Sequence, residues 1–576
     1  MIKKTNLMAL SLIVMTMSIV VSCKKVVNDK GGGDGDIDIT TPDGTAQDKL
    51  YDSIYLYALQ TYYWNTQLPS YKTFNPRQYE NANDSLGLAN EVYAFTRFPK
   101  DANGNIYEQK IKYDEQTAAN EPDNSEPKFS QIYYSDNSFA GNAGFIPYVQ
   151  FGNQREETTL DGKDSSLGLI VSFVPADFSD DSVNIINDSI VESFKSYMCV
   201  VRYVISGSPA QKAGIKRGDI ISAVEGGKYN FGTSLAPNDG NINSVGNAIY
   251  YSNSLDLSVY NSVDRKVSNY SLNAVSYTFN PIFKSKVLNY GSHKIAYLAF
   301  FTFSDYSNAQ PVLDSAFQSY ASQGVTDIVV DLRYNGGGYV NTAETLVNYL
   351  APTSANNNTM YTEYYNKTMV DGKATLLKNI PQDYSDLSKG NLSQLNFSPS
   401  EQTFQIQKAG GVNLQKVYFI VSSGTASASE LVINSLKPYS TVTQLSADFS
   451  DTSSFTYGKP VGFFEIRAGK FSMWIPNFET KNANGVGGYY QGLPATTYSG
   501  RPLKEFDDIL HDFGDPKEYC LSDMIYLISG VDTYQTNGKS LFANQRSLPS
   551  MILKTKSVGN VYRISNMIGK PKRILK

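Results

Sequence analysis

The stretch from Lys416 to Glu430, KVYFIVSSGTASASE, constrains the fold of this chain more than any other. Its apolar run Val417 to Val421 reads as a buried strand, the small residues after it as a tight turn, and the residues to about Leu436 as a helix that stops before Pro438. A strand that ends in a small-residue turn and opens a helix can present a nucleophilic hydroxyl. The helix N-terminus supplies unpaired N–H groups and a partial positive charge, and both favour an oxyanion there. Ser427 stands at that point. The plainer alternative is that Thr425, Ser427 and Ser429 only cap the helix.

The same alternation starts upstream, from about residue 285. Lys294 to Phe301 reads as a strand, Ser307 to Gln323 as an amphipathic helix, and Val325 to Leu332 as a largely apolar strand of a sheet covered on both faces. That strand ends in DLRYNGGGY, Asp331 to Tyr339, and the helix Thr342 to Leu350 follows. Three glycines between strand and helix let backbone N–H groups approach a ligand closely. A phosphate cradle is a weak reading, because the Gly-Lys-Ser/Thr ending and the dinucleotide spacing are both missing.

Before this region, residues 162–283 have a different pattern. Leu167-Gly168-Leu169-Ile170 opens a strand, Tyr197 to Ile205 is a second, and SGSPAQKAGIKRGDIISAVEGG follows from Ser206 to Gly227. Pro209 starts a short helix, Gly214 ends it, and Gly218-Asp219 turns into the strand Ile220 to Val224. These residues closely resemble a bacterial PDZ domain, with Lys228 to Asn253 read as an insertion. The resemblance implies that the loop Leu167, Gly168, Leu169 offers backbone N–H groups to a peptide's terminal carboxylate while the peptide adds as a strand. A spacer without peptide binding is the alternative. Residues 46–161 read as a helical segment, its first helix carrying an apolar face of Tyr51, Ile54, Tyr55, Ala58, Leu59 and Tyr62, and no chemistry is legible there.

Composition bears on the choice of base. Only His293 and His511 are present, so a Ser-His-Asp triad would have to use one of them, and a His-rich metal site is nearly excluded. A desolvated lysine is then the available partner for a serine hydroxyl. Lys437 lies ten residues along the helix from Ser427, about 15 Å at about 1.5 Å per residue, and cannot reach. Lys459 is biased by Pro460 to an extended backbone and so to a strand-like ledge beside the helix N-terminus; without the motifs around it, it would read as an ordinary surface lysine. The net charge of −5, with no basic stripe, argues against a nucleic-acid partner.

Taken together, DLRYNGGG, then SGTASASE, then Thr456-Tyr457-Gly458-Lys459 resemble the C-terminal processing (tail-specific) proteases, PDZ-containing Ser-Lys serine peptidases that include many lipoproteins. The resemblance covers roughly residues 162–510. It implies Ser427 as nucleophile, Lys459 as base, Glu430 as an auxiliary acid orienting Lys459 or a neighbouring hydroxyl, and oxyanion donors from Ala428 and from Gly336 or Gly337. Two departures stand out: a long interval between Ser427 and Lys459, with SADFSDTSS as the inserted loop, and Pro460 where glycine is commoner.

At the other end, Lys3 and Lys4 precede an apolar run from Leu7 to Val21, too short to span a bilayer as a helix, and Ser22-Cys23 follows. This resembles a lipoprotein signal with Cys23 as the acylated residue; an uncleaved anchor is the alternative. Cys199 and Cys520 can pair in an oxidising compartment, although Cys199 lies in an apolar run that suits a buried thiol.

The expectation is therefore an α/β multidomain protein: signal 1–22, flexible tether 23–45, helical segment 46–161, PDZ-like β-rich domain 162–283, α/β protease domain of ClpP/crotonase-like type 284–515, and a C-terminal helix with a basic tail 516–576. It is expected to be exported, lipid-anchored to a bacterial cell-envelope membrane (outer membrane, periplasmic or surface-facing), and to hydrolyse peptide bonds in exported proteins or peptides. No metal, cofactor or nucleic acid is implied. The rival is a catalytically silent peptide-binding or scaffold lipoprotein.

Overall fold

The computed structural model describes residues 37, 39–114, 119–134, 160–175, 177–179, 182–184, 197–227, 229–230, 239–261, 264, 266–384, 386–447, 456–533 and 567–568. Cys23 and the loop 448–455 lie outside the described residues.

The N-terminal segment opens with α1 (Ala46–Thr61) and α2 (Asp84–Thr96). Thr45 and Asp48 cap α1 reciprocally, each side chain bonding the other's backbone N–H. Tyr51, Ile54, Tyr55, Ala58 and Leu59 are buried along one face. The described residues from 110 to 134 form strands rather than helices. A hairpin joins Lys110–Asp114 to Ala119–Asp123, and β1 (Gln131–Tyr134) pairs antiparallel with residues 471–474. Ile132, Tyr133 and Tyr134 favour a strand, and a partner more than three hundred residues away decides the matter.

The β-rich domain consists of β2 (Leu169–Pro175), β3 (Tyr197–Val204), β4 (Ile220–Val224), α3 (Asp239–Tyr251), β5 (Ser254–Asn261) and β6 (Lys266–Asn273). Its sheet has the order β6-β5-β4-β3-β2, antiparallel throughout, which leaves β2 at an edge. Within the stretch Lys228 to Asn253, residues 239–251 form α3. This helix buries Val245, Ala248 and Ile249 against Leu169, Val171 and Phe173, so it completes the domain's core.

The α/β domain contains β7 (Ile282–Tyr290), β8 (His293–Phe300), α4 (Tyr306–Gln323), β9 (Asp327–Asp331), β10 (Gly338–Tyr339), α5 (Val340–Leu350), β11 (Thr359–Tyr365), β12 (Thr403–Gln405), β13 (Lys416–Val421), α6 (Ala428–Leu436) and β14 (Thr441–Ser446). The main sheet runs β7-β8-β9-β13-β14; the last four strands are parallel and β7 closes one edge antiparallel. The apolar strands β9 and β13 are buried, as parallel strands with helices on their faces must be. Since β9 and β13 are neighbours, the turns after them emerge side by side at the carboxyl edge of the sheet, where open α/β sheets bind ligands.

After β15 (Val461–Phe463) come β16 (Ile466–Ala468) and β17 (Phe471–Trp474), a hairpin whose second strand pairs with β1; a second sheet includes β15, β18 (Phe478–Asn482) and, far along the chain, β19 (Met567–Ile568), in the order β10-β19-β15-β18-β11-β12. Helical structure is expected from Leu503 to Ser529, yet only Tyr519–Ser529 forms a helix. Gly514, at φ +74°, and Pro516 interrupt it, and the irregular stretch before the helix supplies carboxylates to a buried cluster instead. There Asp507 meets Arg217 of the β-rich domain at 2.6 Å and Arg333 of the DLRYNGGG turn at 3.1 Å. Burial works against ionisation of Asp507, but Arg217, Arg333 and Arg202 outweigh it and hold its carboxyl well below the usual range. Arg217 also bonds the Tyr334 hydroxyl at 2.8 Å, so the β-rich domain grips the turn that leads to Gly336 and Gly337.

Candidate active site

The turn at Ser427 and the glycine turn are stitched together by polar groups that local sequence supplies. Thr425 Oγ1 donates to the Leu332 carbonyl at 2.8 Å, Ser429 Oγ to the Asn335 carbonyl at 3.0 Å, and Asn335 Nδ2 to the Phe300 carbonyl at 3.0 Å. Ser427 sits between them at φ +63°, ψ −115°, a conformation costly for a residue with a Cβ and one that persists only when its surroundings hold it. It is 0% exposed, and among the described residues its hydroxyl has no hydrogen-bond partner. Ser427 is also the N-cap of α6, with the Glu430 carboxylate accepting from its backbone N–H as in a capping box.

Glu430 organises the site. Each of its carboxylate oxygens accepts two hydrogen bonds: Oε1 from Thr456 Oγ1 (2.6 Å) and Gly458 N–H (2.8 Å), Oε2 from Ser427 N–H (2.8 Å) and Lys459 N–H (2.8 Å). Because Ser427 and Lys459 donate to the same oxygen, their backbones lie within two hydrogen-bond lengths of each other. Burial pushes the carboxyl of Glu430 up, while the four donors oppose that shift. The Tyr457 N–H bond to the Thr425 carbonyl (2.9 Å) ties the loop before Lys459 to the turn at Ser427 a second time.

Lys459 is 0% exposed, with Nζ over the Phe463 ring at 4.6 Å from its centroid. Burial pushes its amine down to about 7; Glu108 and Glu430 work against the shift and Lys128 adds to it. A lysine with that affinity for protons is partly neutral near pH 7 and can accept one. Neither histidine enters the site. His293 is paired with Asp327 (2.8 Å) at the opposite end of β9, and His511 with Asp508 (2.6 Å) in the buried cluster.

The proposed oxyanion donors differ in readiness. Ala428 N–H opens α6, where no preceding turn offers it a carbonyl. Gly337 N–H is engaged by Asn335 Oδ1 at 2.9 Å, which leaves Gly336 as the readier donor from that turn. Gly337 also lies hard against Ser427: at its φ of +113°, a Cβ would fall 2.9 Å from Ser427 Cβ and 3.1 Å from Ala428 N.

Sequence reasoning finds no chemistry in the N-terminal segment, yet that segment forms one wall of the site. Lys128 Nζ donates to the Tyr490 carbonyl (2.7 Å) and lies over the Tyr457 ring (5.0 Å), while the Tyr457 hydroxyl donates to the Lys128 carbonyl (2.9 Å). Burial pushes the Lys128 amine down to about 8, against the pull of Glu430. Glu108, buried, accepts from Tyr62, Ser130 and the Phe129 N–H. No local pattern marks Lys128, because its partners Tyr457 and Tyr490 lie hundreds of residues downstream.

In the β-rich domain, Leu167 and Leu169 are core residues, and Gly168 N–H donates to Ser166 Oγ at 2.9 Å, so that N–H is already engaged. The free edge of β2 is partly covered: the Tyr250 hydroxyl of α3 bonds both the N–H and the carbonyl of Val171 at 3.1 Å. Cys199 and Cys520 are buried free thiols in different core clusters. Among the described residues no group of three or more His, Cys, Asp or Glu could hold a metal ion, and no helix is long and apolar enough to cross a membrane.

Residues 294–447 match the profile of peptidase family S41. The chain carries a peptidase S41 domain. The matched span contains Gly336, Gly337, Ser427, Ala428 and Glu430 and stops short of Lys459. Among solved structures, a Bacteroides fragilis protein assigned as an S41 protease is similar at 20% identity with a TM-score of 0.51, over 85% of this chain and 98% of that one. The photosystem II D1 C-terminal processing protease matches at 15% identity and a TM-score of 0.39 over 83% and 97%; mature CPAF with lactacystin matches at 12% and 0.31 over 80% and 93%. A search of curated proteins finds no match. The first likeness supports a shared fold, and the S41 domain supports a serine-type peptidase.

Proposed function

We propose that this chain is a serine endopeptidase working through Ser427 and Lys459. The observation that carries the proposal is the shared Glu430 oxygen, which holds the backbone of a strained, unbonded serine beside that of a buried lysine whose amine is pushed down to about 7. In this mechanism Ser427 Oγ forms a bond to the scissile carbonyl carbon and its proton passes to Lys459 Nζ. The oxyanion is met by Ala428 N–H and Gly336 N–H, or by Gly337 N–H once it leaves Asn335. Lys459 returns the proton to the leaving amine as the C–N bond breaks, and water then hydrolyses the acyl-Ser427 ester.

The test is hydrolysis of an unfolded protein. Ser427→Ala and Lys459→Ala should each abolish it, and the double variant should be no worse, because the two act as one unit. Wild-type turnover by either single variant would refute the assignment. The alternative, a silent peptide-binding lipoprotein, draws on the complete burial of both side chains, and it predicts peptide binding with no turnover under any condition.

Export and anchoring belong to the same proposal. Cys23 is taken as the lipidated residue, and Cys23→Ser should release the protein from the membrane fraction. Selection of substrates by their C-terminal end, through the loop Leu167, Gly168, Leu169, is proposed with a condition: a peptide strand adding to β2 must displace the Tyr250 hydroxyl from Val171. A free apolar C-terminus should then give a higher kcat/KM than the amidated form, and Tyr250→Phe should widen the difference.

A further inference from the structure

The strand β19 lies in an unusual place. Met567 is registered between Gly338 of β10 and Gly462 of β15, and Ile568 between Tyr339 and Phe463, with both pairings parallel. These two flanking strands are the arms of the candidate site. β10 follows directly after Gly337, which presses on Ser427 and Ala428; β15 starts two residues after Lys459 and includes Phe463, the ring beneath the Lys459 amine. The other side of β10 is already taken, since Phe303 N–H bonds the Gly337 carbonyl (3.0 Å) and Tyr339 N–H the Phe303 carbonyl (2.8 Å).

Neighbouring strands lie about 4.8 Å apart, so β10 and β15, two steps apart in the sheet, leave a gap of about 10 Å. That gap is too wide for them to pair with each other and takes one extended chain. Its backbone groups face inward from both sides and need a partner. Met567 passes between two glycines, Gly338 and Gly462, where no side chain stands on either flanking residue. The slot therefore recognises extended polypeptide backbone rather than particular side chains, and a strand within it joins the glycine arm to the lysine arm. With this strand present, Ser427 and Lys459 are both 0% exposed.

We infer that the slot between β10 and β15 is a docking site for one extended polypeptide strand, and that the chain's own segment at Met567–Ile568 occupies it as an intramolecular inhibitor. The inference rests on the proposed peptidase function. An incoming substrate must compete with the resident strand, so activity is held down until that strand leaves.

The test uses the full chain. Ile568→Pro removes a backbone N–H from a strand paired on both sides and should dislodge it. It should raise kcat/KM for an unfolded protein at least tenfold, and a synthetic peptide of residues 561–576 should then inhibit the variant competitively. A parallel binding arm does not need catalysis: the same peptide, carrying fluorescein, should bind Ser427→Ala/Ile568→Pro at least tenfold more tightly than Ser427→Ala alone, read by anisotropy. Peptide binding restricted to the opened protein, with no hydrolysis by any variant, would uphold the slot and refute the peptidase reading. Unchanged hydrolysis by Ile568→Pro, together with equal or absent peptide binding by both proteins, would overturn the inference.

Discussion

Replacing Lys459 by methionine should abolish activity and at the same time stabilise the protein near neutral pH. In the folded chain the amine titrates at about 7, while in the unfolded chain it returns to about 10.4. Between those values the unfolded state holds a proton that the folded state does not, so the wild-type chain gains stability as pH rises through this window. Each pH unit corresponds to about 1.4 kcal/mol, so wild type should gain about 3 kcal/mol on Lys459→Met between pH 7 and pH 9.5. Methionine matches the unbranched stem over Phe463 and carries no charge to desolvate, so at pH 7 the variant should be the more stable by about 3–4 kcal/mol. Lys128, also depressed, is present in both proteins and drops out of the difference. Urea unfolding of the two chains, followed at pH 7, 8, 9 and 9.5 by near-UV circular dichroism, reads this directly. If the variant is no more stable at pH 7, or if the difference is the same at every pH, the burial argument for a neutral lysine is wrong.

Lys459→Arg should be inactive at every working pH because guanidinium stays protonated, and the acid limb of the wild-type kcat/KM profile should fall near pH 7 as Lys459 becomes charged. Glu430→Gln should lose activity and about 2–6 kcal/mol of stability, since an amide NH₂ would face two of the four donors that now meet carboxylate oxygens; thermal unfolding and the protein-hydrolysis assay check both. Gly337→Ala should reduce kcat far more than KM, because its Cβ would press on Ser427 Cβ and the Ala428 N–H at a φ of +113°.

What the sequence made legible was local. The strand, turn and helix around Ser427 are carried by contiguous residues, and the helix α6 ends at Leu436 as Pro438 predicts. Glu430 could be placed on the face of Ser427 by its spacing of three, and the scarcity of histidine pointed to a lysine. How Glu430 acts was only half visible: it does reach the Thr456 hydroxyl, and it meets Lys459 through the backbone N–H. Other features depend on contacts between distant parts of the chain. Lys128 meets Tyr490, the strand Gln131–Tyr134 finds Phe471–Trp474, and Met567–Ile568 enters between β10 and β15. Hydrophobic periodicity carries no information about such pairings. The part that α3, within Lys228 to Asn253, plays in the core was hidden for a related reason, since its apolar face has meaning only against β2.

The central claim is that Ser427 is a nucleophile activated by Lys459. Its most direct test is the intact mass of the protein after exposure to a fluorophosphonate, with peptide mapping of the adduct. A single adduct on Ser427 in the wild-type chain, absent in Ser427→Ala and slowed at least a hundredfold in Lys459→Met, is the predicted result. An adduct on another residue, or equal labelling rates in wild type and Lys459→Met, would contradict it.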